Sequence, residues 1–299
     1  MRYRVTHTTT YSGDEPVSVC HNEARLRPRR LRYQICRSHE LHILPAPAIQ
    51  TLRSDYFGND VSVFSFNQGY DTLKVTAVSD VHLTPHGRAA NDPSPPWEEV
   101  LENLTSRPTE SDLFACEFAY ESPRVRISPK LADYARTSFP AGRPMLAAIA
   151  DLTSRIHREF KFDSRATHVH STVDEVFEMR RGVCQDFAHV EIAALRSLGL
   201  AARYVSGYLR TYPAAGQPRL VGADASHAWL SIYCGTLGWV DLDPTNNVFP
   251  DTEHITIAWG RDYDDVPPLR GVYIGGGRHA LSVGVDVLPI EDEPAVEIA

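Results

Sequence analysis

The stretch "RRGVCQDFAHVEIAALRSLGL", Arg180 to Leu200, constrains this chain most: a glycine and a lone cysteine stand at the head of an apolar-periodic run. On a wheel of about 100° per residue, Ala188, Leu195 and Leu198 fall within about 40° of Cys184, flanked by Phe187, Ile192 and Ala194. A helix opening at Cys184 therefore heads its buried stripe with sulfur. Asp186, His189 and Arg196 lie on the opposite face. His189 points about 140° away and is a poor base for the thiol, which leaves it a surface or supporting role. In a first helical turn, unpaired N–H groups and the helix dipole favour negative charge, and the thiolate is the reactive form of cysteine. Cys184 is a core filler, half of a disulfide, or a nucleophile.

The disulfide is the weakest of the three. The five cysteines are scattered, odd in number and free of any CxxC pair, which argues against a disulfide framework or a structural zinc site. At 299 residues the chain can bury a large core. Its net charge of −8 argues against nucleic acid as a partner. The basic run "RLRPRRLR", Arg25 to Arg32, reads as a solvated or ion-paired face. The N-terminus shows no apolar signal region, and no run is apolar enough to span a bilayer, so a cytoplasmic location without membrane contact is expected.

Residues 1–84 read as short alternating strands separated by turn clusters such as "SGDEP" and "FGND", an antiparallel sandwich-like module with no evident chemistry. Residues 85–126, rich in Pro, Ser, Asn and Asp, read as a linker holding one short helix capped by Ser94. From 127 to 299, helical patterns come first. Among them is "STVDEVFEMRRGV", with a capping-box start at Ser171 or Thr172 and a stop at Gly182. Strand patterns follow, and the tail strands are assigned to the same unit. Helices followed by strands indicate an α+β order rather than βαβ alternation.

"HAWLSIY" and "GWVDLDP" flank a Cys-Gly-Thr-Leu turn, a hairpin signal. Centred on Gly235, the hairpin places His227 directly opposite Asp243, with Cβ atoms about 5 Å apart. Asp241, which would face Trp229, is the second choice, and a bulge would shift this register. A carboxylate that accepts the imidazole Nδ1–H fixes the tautomer and leaves Nε2 to exchange a proton with a thiol and then a leaving amine. Cysteine at a helix start, histidine on one strand and carboxylate on the next are the parts of a covalent acyl-transfer site.

"RRGVCQDFAH", "GLAARYVSGYL", "SHAWLSIY" and "GWVDLDPTN" resemble the transglutaminase-like superfamily, especially bacterial members with an N-terminal β domain. "MRYRVTHTTTYS" and "GRDYDDVPPLRGVY" extend the resemblance over nearly the whole chain. It implies a papain-like α+β core behind an all-β domain, with Cys184 as nucleophile, His227 as base and Asp243 as orienting acid. The implied reaction is amide acyl transfer through a thioester, completed by an amine or by water, on a protein or peptide substrate and without a cofactor. Animal cross-linking members carry tryptophan after the cysteine, whereas Gln185 stands here, and no loop resembles an EF-hand. Both departures favour hydrolysis over calcium-dependent cross-linking.

An oxyanion hole needs donors where charge develops; the backbone of Cys184 is one candidate and Gln185 another. Trp229 and Trp239 are candidates for the cleft wall, although core packing accounts for them equally well. His168 and His170 alternate, but with no third ligand nearby no metal is expected. Glu191 falls in the apolar stripe and needs a partner, for which Arg203 is the candidate. The competing reading of the whole chain is a silent scaffold that binds through its β module.

Overall fold

The computed structural model describes residues 1–168, 171–212, 226–275 and 277–290. The chain opens with β1 (Arg2–Ala24), β2 (Gln34–Leu44), β3 (Ile49–Ser54), β4 (Asp60–Phe66) and β5 (Tyr70–Leu83). Helices α1 (Trp97–Ser106), α2 (Glu110–Cys116), α3 (Pro129–Arg136) and α4 (Met145–Glu159) follow. Then come β6 (Lys161–Phe162), α5 (Val173–Met179), β7 (Arg181–Gly182) and α6 (Cys184–Arg196). The rest is strand: β8 (Ala202–Leu209), β9 (Ser226–Tyr233), β10 (Trp239–Leu242), β11 (His254–Gly260), β12 (Leu269–Gly275) and β13 (His279–Pro289). The result is an α+β core preceded by a β domain.

Two boundaries differ from the sequence reading. The tail does not end the core: β12 and β13 pair antiparallel with β1 and complete a seven-stranded sheet that contains β1 to β5. "SGDEP" does not separate two strands either. β1 runs through it for 23 residues, and the turn residues instead mark a register shift against β5 between Ser12 and Val17. The residues flanking the shift are paired on both sides, Ser12 with β5 and β13 and Val17 with β5 and β12, which overrides the local turn preference.

Residues 85–126 are not a linker. Val100, Leu104, Ala115, Phe118 and Val125 are buried in the main core, and Ser94 accepts from the Leu146 N–H instead of capping α1. That core also takes in Tyr3, Val5, Val285 and Val287 from the sheet, so both parts share one apolar interior. A second, smaller cluster around Phe64, Phe66 and Val75 lies within the β domain.

The core sheet has the order β10-β9-β8-β11. Helix α6 packs on β8 and β9 and is enclosed by α3, α4 and α5 on its other sides. Its polar face is therefore not a solvent face: Asp186, His189 and Arg196 are all buried. Burial of the guanidinium is offset by bonds from Arg196 to the carbonyls of Ala202 and Arg261 and to Ser122.

Strand β11 edges the core sheet and would leave its outer backbone groups unpaired. The β domain supplies the partners as side-chain amides. Gln34 accepts from Thr256 N at 2.9 Å and donates to Thr256 O at 2.7 Å. Asn59 accepts from Trp259 N at 3.0 Å and donates to Trp259 O at 2.9 Å. Part of the basic run lies near the same seam: Arg25 pairs with Asp55 at 3.1 Å, and Arg29 stacks on Trp259 with its guanidinium carbon 3.5 Å from the ring centroid, while Arg30 and Arg32 are exposed.

Gln34→Met removes the acceptor for Thr256 N–H while nearly conserving volume, so urea unfolding should show a loss of about 1–3 kcal/mol. A change below about 0.5 kcal/mol, typical of surface positions, would show that this edge does not depend on the amide.

Candidate active site

The turn before α6 explains the glycine beside the cysteine. Helix α5 starts in a capping box between Thr172 and Glu175, but it stops at Arg180, in the left-handed region at φ 53°, rather than at Gly182. Gly182 serves a close approach: a Cβ there would lie 2.5 Å from Asp186 Oδ2. That oxygen accepts from Val183 N at 2.8 Å and from Thr167 Oγ1 at 2.7 Å, and so locks the entry to α6. The first intrahelical bond runs from Phe187 N to Val183 O, which leaves the N–H groups of Cys184 and Gln185 outside the helical ladder. Cys184 is half-buried and lines an open cleft together with Gln185.

The hairpin brings His227 to Asp243 by a route different from the expected one. A 3-10 turn, Gly235–Leu237, sets Trp239 opposite Tyr233 and Leu242 opposite Leu230, so the register is centred one residue later than on Gly235. His227 and Asp243 are therefore not cross-strand partners. β10 ends at Leu242, and Asp243 enters a turn that bridges it to Val248. In that turn its Oδ1 accepts from Thr245 N and Asn246 N at 2.9 and 3.2 Å. This side-chain turn, available to Asp in a "DPTN" sequence, swings the carboxylate under the histidine.

Asp243 Oδ2 accepts from His227 Nε2 at 2.7 Å, His254 Nε2 at 3.0 Å and Asn246 Nδ2 at 2.7 Å. The carboxylate is completely buried, and burial alone pushes its pKa up. The bonds and charges of His227 and His254 outweigh that and hold it well below the usual carboxylate range. For His227 burial is likewise the largest influence and lowers the pKa. Hydrogen bonds to Asp243 and Cys184 and their charges reverse the sign, leaving it raised. The orientation of the ring is opposite to that expected: Nε2 faces the acid, so Nδ1 is the nitrogen left for Cys184.

His254 was not foreseen. It arrives from β11 and packs edge-on against Trp229, with ring centroids 5.2 Å apart. His227, Asp243 and His254 offer ligand atoms within 4.8 Å of one another. Tetrahedral zinc with bonds of ~2.0–2.1 Å would hold adjacent ligands ~3.3 Å apart. The shorter contacts here, one of them to an oxygen that also accepts from Asn246, are accounted for as hydrogen bonds.

Neither tryptophan lines the cleft that holds Cys184 and His227. Trp229 is fully buried beneath His227 and donates to Asp241 at 3.2 Å. Gly207, the β8 partner of His227, makes room for it: a Cβ would meet the indole at 2.4 Å. Trp239 faces a different pocket, near Tyr33 and His86, and stacks under Arg203 at 4.2 Å. Arg203 lies between Trp239 and Trp259, which excludes the expected pairing with Glu191. Glu191 instead accepts from Thr153 Oγ1 at 2.6 Å, and burial pushes its pKa up to about 8. His189, pushed down to about 3 by burial and by Arg124 and Arg196, is neutral and accepts from Tyr263 N at 3.2 Å. His168 lies on an exposed turn, outside the cleft lining, and His170 lies outside the described residues.

The cleft has a volume of about 490 Å³. One wall carries Cys184, Gln185 and His227; the other is the β domain, which supplies His7, Thr9 and Tyr11 of β1 and Leu281 and Val283 of β13. His7 is fixed to the core by Tyr208, 2.9 Å from its Nδ1, and burial lowers its pKa to about 4. No motif in the sequence marked the β domain as part of the site. Only the pairing of β13 with β1 brings those side chains into one row.

Residues 3–82 match the bacterial transglutaminase-like N-terminal region, and residues 133–244 match the transglutaminase-like superfamily. An uncharacterized protein of Mycobacterium tuberculosis is 40% identical over 301 residues, covering 98% of this chain and 94% of that protein. A protein-glutamine gamma-glutamyltransferase of Pseudomonas aeruginosa is 30% identical over 131 residues, 44% of this chain and 19% of that protein. A crystal structure from Cytophaga hutchinsonii, assigned provisionally to the cysteine proteases, superposes with a TM-score of 0.75. It covers 98% of this chain and 93% of its own at 20% identity, a likeness of fold. Fold and family together support cysteine-dependent acyl transfer as the general chemistry.

Glu191 makes stability depend on pH. Its folded pKa, about 8, lies above the ordinary carboxyl value, so the native state holds a proton that the unfolded chain releases. Stability should therefore fall as pH rises from about 5 to 8, by at most ~1.4 kcal/mol per pH unit. Glu191→Gln, which keeps the neutral shape, should flatten that slope in urea titrations; an unchanged slope would show that Glu191 is ionised in the folded protein.

Proposed function

Because the chain belongs to the transglutaminase-like superfamily, we propose that it is a cysteine-dependent amide acyl-transfer enzyme with Cys184 as nucleophile, His227 as acid and base, and Asp243 as the orienting carboxylate. The observation that carries this reading is the buried Asp243 carboxylate, bonded at 2.7 Å to His227, which lines the same cleft as Cys184. A core cysteine would need neither the relay nor the opening.

The sulfur, presented at the start of α6, gives its proton to His227 and attacks the amide carbonyl carbon. Negative charge on the carbonyl oxygen falls to the N–H of Cys184, with the Gln185 side chain at the cleft as the second donor. The proton on His227 Nδ1 passes to the departing amine as the C–N bond breaks and the thioester remains. His227 then takes a proton from the incoming nucleophile, whose attack on the thioester releases the thiolate. Asp243 holds Nε2–H throughout and keeps the ring in one orientation.

Water is the favoured second nucleophile. Gln185 stands where the animal cross-linking enzymes carry tryptophan, and the reaction is then hydrolysis of a peptide or isopeptide bond. The similarity to a protein-glutamine gamma-glutamyltransferase over 131 residues favours an amine as the alternative. Peptide substrates offered together with a labelled primary amine separate the two: free acid alone supports hydrolysis, and label incorporation overturns it.

Iodoacetamide tests the nucleophile without a known substrate. Cys36 and Cys116 are also half-buried and serve as internal references. Near neutral pH, Cys184 should label at least about tenfold faster than either. His227→Ala should abolish that advantage and lower any acyl transfer about 10²–10⁴-fold, the usual contribution of a positioned acid–base group. Equal labelling of all three cysteines, indifferent to His227, would leave the silent scaffold as the better account.

A further inference from the structure

The β domain holds a second cavity, of about 140 Å³, that the reaction does not use. It is mostly apolar and is lined by Val17, Tyr70, Leu73 and Tyr273, together with Tyr11 and Leu281. The last two also line the catalytic cleft. They form a cross-strand pair, as do Thr9 with Val283 and His7 with Val285, so these three rungs place their side chains on one face of the sheet. The row runs from His7, fixed against the core, past the cleft to the edge of the second cavity. The two spaces therefore adjoin, with Tyr11 and Leu281 as their common wall.

We propose that this second cavity is an anchoring subsite for the acyl donor: it takes an aromatic or branched aliphatic side chain of the polypeptide whose amide lies at Cys184. The inference rests on the acyl-transfer reading for its catalytic half only. Size supports a single-ring occupant, since an apolar protein cavity of ~150 Å³ accommodates benzene. Charge supports it as well: Asp71 is the one acidic side chain among the lining residues, and burial pushes the phenols of Tyr11 and Tyr70 up, away from the charged form. The row itself supports an extended donor, because its consecutive rungs lie two residues, roughly 7 Å, apart along the strand. The β domain then selects substrate, and the core performs the chemistry.

The test is direct binding to the Cys184→Ala protein, which needs no turnover. Glutamine-centred fluorescent peptides carry phenylalanine, leucine, alanine or lysine at each position within six residues of the centre. Phenylalanine or leucine at one fixed spacing should bind about tenfold or more tighter than alanine, and lysine should not bind better than alanine. Tenfold is ~1.4 kcal/mol, within what burial of one such side chain provides. Tyr273→Ala, which opens the cavity wall, should remove the preference, whereas Val272→Ala, exposed on the neighbouring position and outside the lining, should retain it. Peptides that bind without a preferred spacing, or a preference that survives Tyr273→Ala, would overturn the subsite, as would a library in which nothing binds. Cysteine labelling reports on the other half separately: a preference with an unactivated Cys184 sinks the catalytic reading and leaves the subsite standing.

Discussion

The carboxylate of Asp243 is the constraint on which the site depends. An isolated buried charge of that kind would neutralise itself or unfold its surroundings. Here five donors converge on two oxygens: two backbone N–H groups of its own turn, the Asn246 amide and two imidazoles. The turn donors fix where the carboxyl sits, and the imidazoles fix what it does. Because His254 comes from β11, the position of the acid also depends on how the core sheet is completed, and that edge is secured by amides of the β domain. The geometry at Cys184 is in this sense a property of the whole chain.

Elements with strong local periodicity were legible in the sequence. The helix at Cys184, the capping box at Thr172 and Glu175, and the two strands carrying His227 and leading to Asp243 follow from spacing alone. The α+β order and the family resemblance rest on the same residues. Register was not legible, because the three-residue 3-10 turn and the departure of Asp243 from its strand depend on a handful of backbone angles. The predicted contact was reached through a side-chain turn, not through strand pairing. Trp229 shares the parity of His227 along the strand and reads as cleft-facing; the space that Gly207 leaves lets it sink beneath the ring instead.

Nonlocal features were out of reach for a different reason. Nothing in "ALSVGVDVLPI" says that its partner is the first strand, some 270 residues earlier, and a tail strand placed by proximity goes to the core. Likewise the polar face of α6 looks solvated from its sequence. A helix enclosed on all sides can carry Asp, His and Arg only where each meets a specific partner, and those partners come from loops with no signature of their own. Asp186 binds the turn before the helix, His189 the backbone of Tyr263, and Arg196 the carbonyls at the start of β8 and just past the end of β11.

These buried polar contacts also connect the chemistry to the cleft wall. His189 sits on the far side of α6 from Cys184, yet the N–H it accepts belongs to Tyr263, whose ring borders the cleft. From there the chain passes Pro268 and Leu269, both on the cleft, and continues directly into β12 and β13. Neutral His189 is the form that can accept this bond, and its burial keeps it neutral. One helix thus presents the sulfur at its start and, a turn further on, anchors the segment that carries the opposite wall across. The spacing between Cys184 and that wall is set through this rigid element and, from the other side, through the Tyr208–His7 bond that ties the β domain to the core.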